Sequence, residues 1–394
     1  MFDIDQALRQ LVAREGSDLH IKVGAPPLAR INGELGPLSE SDVEAGGGRV
    51  LGVSETEAAL HSILHDERRL AEFHDESEVD FAYEIEGIGR FRVNAFRQRG
   101  VVSIVARAIP HAIRTIEDLA LPPVIGELAD EERGIILLTG TTGSGKSTTL
   151  AAIINQINET RSCHVVTIED PIEFLHRDKR SVINQREVGA DTKSFSRALR
   201  RVLRQDPDVI LVGEMRDEET VHTALSAAET GHLVLSTVHT VDATESINRM
   251  LDFFPPHQHS QVRSMIAGTL KGVVSQRLVP AAAGGRVAAC EVLRMTGRVR
   301  DMIVDETQTG RLGEVIAEGG YYGMQTFDQA LFAHVKSGLV TVDDALRAAS
   351  SPHDFKLLLA ADGRRGTTME DVAQADARRP VSQQNGVGHA VVGG

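Results

Sequence analysis

The spacing of apolar residues changes several times within residues 1–108, which predicts a small domain that mixes helix and strand. The segment "IDQALRQLVARE" has helical periodicity, and its apolar face consists of Ile4, Leu8, Leu11 and Val12. Next, "DLHIKVGAPPLARING" alternates apolar and polar residues around a turn, as hairpin strands do. Farther along, "EVDFAYEIEGIGRFRVNAFRQRGVVSIVARAI" predicts three strands separated by glycine turns. A glycine triplet at 46–48 predicts a loop between these parts.

The pattern changes after residues 109–122, which predict a linker with one short helix. Four apolar runs follow, "GIILLTG", "HVVTIED", "DVILVGE" and "HLVLSTVH", and they alternate with the helical segments "STTLAAIINQINE", "SFSRALRRVLRQ" and "EETVHTALSAAE". Fully apolar strands that alternate with helices predict a mostly parallel sheet covered on both faces. Beyond about residue 257 the pattern predicts largely helical structure. We therefore expect the second domain to span 123–372 and to end in a disordered tail, 373–394, which lacks apolar periodicity.

Composition narrows the class of protein. The chain of 394 residues has a net charge of −14, which argues against nucleic-acid binding because such proteins neutralise phosphates with clustered Lys and Arg. The two cysteines, Cys163 and Cys290, lie far apart, so neither a disulfide framework nor a paired CxxC zinc site is expected. The N-terminus has mixed charge, unlike a signal peptide, and the apolar runs are too short to span a bilayer. We expect a cytoplasmic protein that is at most peripheral to a membrane through a partner.

The stretch "TGTTGSGKSTT" matches the pattern of a phosphate-binding loop between a strand and a helix. Glycines let successive backbone N–H groups turn toward phosphate oxygens, and the following helix adds its positive end. Lys146 would reach the β and γ phosphates, Ser147 would offer a hydroxyl to Mg²⁺, and Thr148 would add a contact near the α phosphate. The predicted contacts to ATP come from Gly140, Thr141, Thr142, Gly143, Ser144, Gly145, Lys146, Ser147 and Thr148.

Two further apolar strands end in acids. In "DVILVGEMRD", Gly213 stands where a strand-end aspartate is usual, so Glu214 is the candidate base that polarises water for attack on the γ phosphate. The alternative is that Glu214 caps a helix. In "TIEDPIEF", Glu169 is the candidate second carboxylate, orienting water or Mg²⁺, unless it is only a turn acid before Pro171.

Histidines and arginines complete the set of candidates. His232 and His239 flank the strand in "GHLVLSTVHT", where His239 would sense the γ phosphate; either can instead be a hydrogen-bonded structural group. The helix "SFSRALRRVLRQD" carries a row of arginines that would meet either surface acids or the phosphates of a neighbouring subunit's nucleotide. That row contains Arg197, Arg200, Arg201 and Arg204, and Arg216 is a similar candidate. A strand in the first domain presents Arg90, Arg92, Arg97 and Arg99, of which one or two would reach the nucleotide if that domain folds onto the other.

The motifs, in this order, resemble those of the secretion ATPases of the type II secretion and type IV pilus superfamily, and within it the PilT-like twitching-motility retraction ATPases. The resemblance covers about residues 1–360 and rests on "GSDLHIKVGAPPLARINGEL", "RFRVNAFRQRG", "TGTTGSGKSTTLAA", "IEDPIEF", "QREVGADTKSFSRALRRVLRQDPDVILVGEMRD", "AAETGHLVLSTVHT" and "GMQTFDQAL". It implies an α/β fold, in which a RecA-like P-loop NTPase core follows a small α+β PAS-like N-terminal domain and precedes a helical C-terminal region.

The resemblance also implies roles for residues and partners. It places Glu169 in the family's Asp box, Glu214 in an atypical Walker B motif, and His232 and His239 in its His box. It implies a homohexamer that hydrolyses ATP with Mg²⁺, completes each site with residues from a neighbour, and works on an inner-membrane pilus platform protein, with a paralogous pilus ATPase as a possible further partner.

Three alternatives stay open at this point. Assembly and export motors of the superfamily carry a four-cysteine zinc site and a longer N-terminal region; this chain has neither, which favours retraction. However, the family has a C-terminal AIR-type segment that is linked to retraction, and "GRVRDMIVDETQTGRLGEV" matches it poorly. In addition, "GGGRVLG" resembles a local insertion. A nucleic-acid translocase is disfavoured by the −14 charge and by the lack of interleaved basic and aromatic residues. A regulatory subunit without turnover would not need Glu214.

Overall fold

The computed structural model describes residues 2–31, 33–38, 50–109 and 113–362. The predicted loop at 46–48 and the predicted tail at 373–394 lie outside the described residues, and the linker 109–122 lies partly outside them. No helix within the described ranges is long and apolar enough to cross a membrane.

The N-terminal part is built on a six-stranded sheet in the order β3-β2-β1-β6-β5-β4, with neighbouring strands antiparallel. The strands are β1 Asp18–Lys22, β2 Leu28–Ile31, β3 Glu34–Pro37, β4 Glu78–Ile85, β5 Gly89–Gln98 and β6 Val101–Ala108. The predicted hairpin and the predicted three-stranded segment are therefore confirmed.

Helices cover one face of this sheet. They are α1 Ile4–Ala13, α2 Val53–Ile63 and α3 Glu67–Glu76. Asp3 caps α1 by accepting from the backbone N–H of Gln6 at 3.1 Å, and the predicted apolar face of α1 is buried except for Val12, which is half-buried. Inward residues of β5 and β6, such as Phe91 and Ile104, join α1 and α2 in one apolar core.

The second part is built on a seven-stranded sheet in the order β13-β12-β7-β11-β10-β8-β9. Its strands are β7 Gly134–Thr139, β8 His164–Glu169, β9 Val182–Glu187, β10 Val209–Val212, β11 Leu233–Val238, β12 Leu270–Pro280 and β13 Arg286–Arg294. All neighbours are parallel except β12 and β13. The predicted, mostly parallel sheet is confirmed.

Helices pack on both faces of this sheet. They are α4 Val124–Ala129, α5 Lys146–Thr160, α6 Phe195–Val202, α7 Glu218–Glu229, α8 Ala243–Asp252 and α9 His259–Thr269. Alternate residues of β7 enter two different cores: Ile135 and Leu137 join one, and Ile136 and Leu138 join the other. Burial on both faces explains why residues 135–138 of β7 are all apolar.

The expectation of largely helical structure beyond residue 257 is wrong at one place. Strands β12 and β13 form a long antiparallel hairpin that extends the sheet beside β7. Its turn contains Gly284 and Gly285, both with positive φ, so the turn signal was present in the sequence. The described part of the linker also differs, because residues 116–120 form a turn and the helix begins only at Val124, after a proline pair.

Up to residue 362, where the described part of the chain ends, six further α-helices follow β13: α10 Gly297–Val304, α11 Glu306–Thr309, α12 Leu312–Glu318, α13 Phe327–Lys336, α14 Val342–Ala348 and α15 Pro352–Asp362. The last three form a small core with the outer end of the β12–β13 hairpin. Arg277 joins β12 to these helices, because its Nη1 donates to Ala348 O at 3.1 Å and to Ser350 Oγ at 3.2 Å. Its guanidinium also lies 3.8 Å from the centre of the Phe327 ring.

Candidate active site

The glycine-rich loop at 140–145 joins the end of β7 to the start of α5, as the motif predicts. Gly145 has φ +92°, which L side chains rarely adopt. A Cβ there would also lie 2.7 Å from Nε2 of Gln276, a residue of β12 that sequence reasoning missed. Oε1 of Gln276 accepts from Thr149 Oγ1 at 2.9 Å, so this carboxamide links β12 to the first turns of α5 next to the loop.

Lys146 is the first residue of α5 and is only 8% exposed. Its Nζ donates to the backbone oxygens of Gly140, at 2.7 Å, and Thr141, at 2.9 Å. Burial lowers the pKa of this ammonium, and the carboxylates of Glu214 and Glu173 oppose that shift. The loop therefore concentrates positive charge at a helix start.

The other predicted loop contacts differ in exposure. Residues Thr141, Thr142 and Gly143 are exposed, and Ser147 and Thr148 are half-buried in the first turn of α5. Ser144 is buried, and its Oγ has no hydrogen-bond partner among the described residues. A buried hydroxyl without a protein partner in a loop of this shape indicates a place for an anionic ligand.

Glu214 lies two residues beyond β10 and is 20% exposed. Its Oε2 is 2.7 Å from Nη2 of Arg216, and its Oε1 is 3.4 Å from Nε2 of His239. The hydrogen bond to Glu214 raises the pKa of Arg216. The backbone that precedes Glu214 is fixed, because Gly213 O accepts from Thr237 Oγ1 of β11 at 2.7 Å.

Glu169 is the last residue of β8. Its Oε1 accepts from Thr167 Oγ1 at 2.6 Å and from Gln185 Nε2 at 3.1 Å. Burial raises the pKa of this carboxyl, and both hydrogen bonds act in the opposite direction. Glu169 is thus held in one orientation by side chains of β8 and β9.

The sheet brings four of the predicted positions to one edge. Strands β7, β11, β10 and β8 are consecutive and parallel, so their carboxyl ends meet. The loop with Lys146, then His239, Glu214 and Glu169 follow these ends in that spatial order. Ligands of open α/β sheets bind at this edge.

Two of the predicted site residues lie away from the carboxyl edge of the sheet. His232 precedes β11, and its backbone oxygen accepts from Gly134 N at the amino end of β7. Six strand residues span roughly 20 Å, so β11 separates His232 from His239. Arg204 follows α6, whose first residue, Phe195, lies beside Gly213 at the carboxyl edge. The helix carries Arg204 toward the opposite edge, away from Glu214.

The arginine row of α6 lines an exposed cleft of about 710 Å³. Arg200 pairs with Glu219 of α7 at 2.5 Å, as the surface alternative predicts for that residue. The cleft is lined by Arg197, Arg200, Arg201, Arg204 and Gln205.

The first domain reaches the same edge through two arginines. Arg90 Nη2 lies 2.9 Å from Glu187 Oε2, and both side chains are mostly buried. Glu187 is paired with Glu169 in the β8–β9 ladder, so Arg90 lies on the site's flank. Arg92 lines a cavity of about 280 Å³ that Asp170 also lines. By contrast, Arg97 packs on Phe73 within its own domain.

Comparison with known proteins agrees with this arrangement. The family described as type II/IV secretion system protein matches residues 90–347. The type IV pilus retraction ATPase PilT of Pseudomonas aeruginosa is 43% identical over 353 residues, which cover 90% of this chain and 100% of PilT. The type IV pilus ATPase PilU of the same organism is 40% identical over 358 residues, 91% of each chain.

A solved structure gives the same result. The crystal structure of the pilus retraction motor PilT with bound ADP aligns with a TM-score of 0.82 at 42% identity, over 90% of this chain and 99% of that one. The sheet order, the loop and these likenesses together show that the chain belongs to the type II/IV secretion system protein family and is a PilT-like ATPase within it.

Proposed function

We propose that this ATPase hydrolyses ATP with Mg²⁺ as the motor that retracts a type IV pilus, the activity behind twitching motility. The observation that carries the proposal is the position of Glu214, which faces Lys146 across the carboxyl edge and is engaged by Arg216 and His239. The likeness to PilT over nearly the whole chain supports retraction as the task of the motor.

The residues at the loop fit a magnesium nucleotide. Backbone N–H groups of the loop and the amino end of α5 would hold the phosphates, and the hydroxyl of Ser144, which has no partner within the described part of the chain, supplies one more donor. Ser147 and Glu169 offer the oxygen ligands that Mg²⁺ prefers. When bound, Mg²⁺ neutralises charge on the phosphates.

The protein's own groups then have separate tasks. Lys146, which donates to two loop carbonyls, would transfer its N–H groups to phosphate oxygens, which are stronger acceptors. Glu214 accepts a proton from the attacking water. Its two partners, Arg216 and His239, hold the carboxylate in one orientation, so one of them must give way when water is bound.

We propose the domain division 1–108, 109–122, 123–372 and 373–394, with cleft closure between the two sheets as the working motion. In a homohexamer, Arg204 and the rest of the arginine row would face a neighbour's nucleotide. The likeness to PilU supports a paralogous pilus ATPase as a partner, beside an inner-membrane platform protein. The chain would act at the cytoplasmic face of that membrane, without nucleic acid.

Steady-state ATPase assays test the proposal. Glu214→Gln should lower kcat by roughly 100-fold or more, because the amide cannot accept the proton. Glu218→Gln, an exposed acid in the first turn of α7, is the matched control and should stay within about twofold of wild type. Wild-type protein without magnesium-dependent turnover, or Glu214→Gln with full turnover, contradicts the proposal.

A deletion strain tests the direction of the motor. Hyperpiliated cells that do not move on surfaces support retraction, whereas cells without pili indicate an assembly motor. A many-fold rise in ATPase rate with single-stranded DNA would indicate the translocase alternative.

A further inference from the structure

A buried carboxylate outside the predicted site lies in the middle of β13. Glu291 is 8% exposed and is paired with Ser275 of β12, which is paired in turn with Thr139, the last residue of β7. The three side chains form one polar row across the sheet, since directly paired residues share a face. Glu291 therefore lies level with the start of the phosphate loop, two strands away.

The carboxylate holds the start of α8. Its Oε1 accepts from the backbone N–H of Ala243, the first residue of that helix, at 2.9 Å. Asp242 caps the same helix by accepting from Glu245 N at 2.8 Å. Two carboxylates thus satisfy the first N–H groups of α8, and Glu291 links them to the sheet.

The start of α8 in turn fixes His239. Only residues 240–242 separate His239 from Ala243, and they are tied to the first turn of α8. Thr240 Oγ1 lies 2.7 Å from Ser246 Oγ, and Val241 N donates to Glu245 Oε2 at 2.9 Å. His239 directly follows β11, so its backbone is held between that strand and the first turn of α8, and a shift of α8 would move the imidazole relative to Glu214.

We propose that Glu291 is a positioning residue for ATP hydrolysis: it anchors the amino end of α8 to β13 and thereby holds His239 against Glu214. This inference rests on the proposed roles of Glu214 and His239. The acid does not touch the nucleotide loop, so its effect on the reaction is transmitted through the 240–242 segment.

The electrostatic surroundings make this anchor sensitive to pH. Burial raises the pKa of Glu291 to about 7; Asp242 raises it as well, whereas the Ala243 N–H, Arg277 and Ser275 lower it. Above that pH the ionised carboxylate is the stronger acceptor at a helix N-terminus. As pH falls through 7 the carboxyl gains a proton, and its hold on α8 weakens.

The test is ATPase kinetics of Glu291→Ala and Glu291→Gln between pH 6 and 8.5. Glu291→Ala should lower kcat about tenfold through misplacement, with KM for ATP within about twofold because the loop contacts remain. Glu291→Gln keeps an acceptor oxygen, so its kcat at pH 8 should lie within about threefold of the wild-type value. Because the amide does not titrate, kcat of this variant should fall less than that of wild type between pH 8 and pH 6. Glu131→Gln, which breaks a pair with Lys271 near the start of β12, is the control expected to match wild type.

A double-mutant cycle separates positioning from mere stability. In a His239→Ala background, Glu291→Ala should reduce kcat by less than about twofold further, because its route to Glu214 is already gone. Additive losses, or a Glu291→Gln pH profile equal to wild type, overturn the inference. Neither result touches the proposed hydrolysis at Glu214, which fails if wild type lacks magnesium-dependent turnover or if Glu214→Gln keeps full turnover.

Discussion

Gly145→Ala should weaken nucleotide binding by a calculable amount. The phosphate-binding loop needs φ +92° at this residue, and a Cβ costs about 1 kcal/mol in that region. The same Cβ would lie 2.7 Å from Nε2 of Gln276, and moving that carboxamide breaks its hydrogen bond with Thr149, worth about 1 kcal/mol more. The sum, about 2 kcal/mol, corresponds to a roughly 30-fold higher Kd.

Titration with a fluorescent ADP analogue and Mg²⁺ measures this loss, and two variants check its origin. At Gly143, with φ +78°, a Cβ meets nothing within 4 Å, so Gly143→Ala should raise Kd only about fivefold. In a Gln276→Ala background the Gly145→Ala penalty should also fall to about fivefold, because the obstructing amide is absent. Equal losses for Gly143→Ala and Gly145→Ala, or an unchanged penalty without Gln276, would refute the reasoning.

Two further predictions concern groups at the flanks of the site. Arg90→Met should lower the unfolding temperature measured by calorimetry, because it leaves the carboxylate of Glu187, which is only 6% exposed, without its arginine, at a cost of about 3 kcal/mol. The double variant Arg90→Met with Glu187→Leu should recover most of the lost stability. A double variant as unstable as Arg90→Met contradicts the role of the ion pair. His232→Ala should keep kcat within about twofold, whereas His239→Ala should lower it about tenfold; equal effects would show that His232 also acts at the site.

The sequence was sufficient to predict which candidate residues meet at one edge of the sheet, because parallel strands share a direction. Once the runs that end at or just before Gly140, Glu169, Glu214 and His239 are taken as parallel strands, these residues must meet at the carboxyl edge of the sheet. The same reasoning fails for His232, which lies within the same short motif but precedes its strand. Motif membership alone does not show which end of a strand a residue occupies.

Supporting residues could not be found from the sequence in the same way. Glu291 is a lone polar residue inside an apolar strand, Gln276 lies within the polar triplet 275–277 of β12, and the hairpin that carries both was not expected beyond residue 257. Their roles depend on the register that aligns Thr139, Ser275 and Glu291 across three strands. Register over such sequence distances is fixed by packing rather than by local pattern.

The contacts by which Arg277 joins β12 to the C-terminal helices have a mechanical consequence. Because this guanidinium bonds to α14 and lies over Phe327 of α13, we expect these helices to move together with the strand beside the phosphate loop. Movement within one subunit would then occur mainly between the larger and the smaller sheet. The Arg90–Glu187 ion pair, which joins the two sheets, would have to break for that movement to take place. Under the proposed function, force applied to these helices would be transmitted to the nucleotide site through the larger sheet, so that mechanical load would change the rate of hydrolysis.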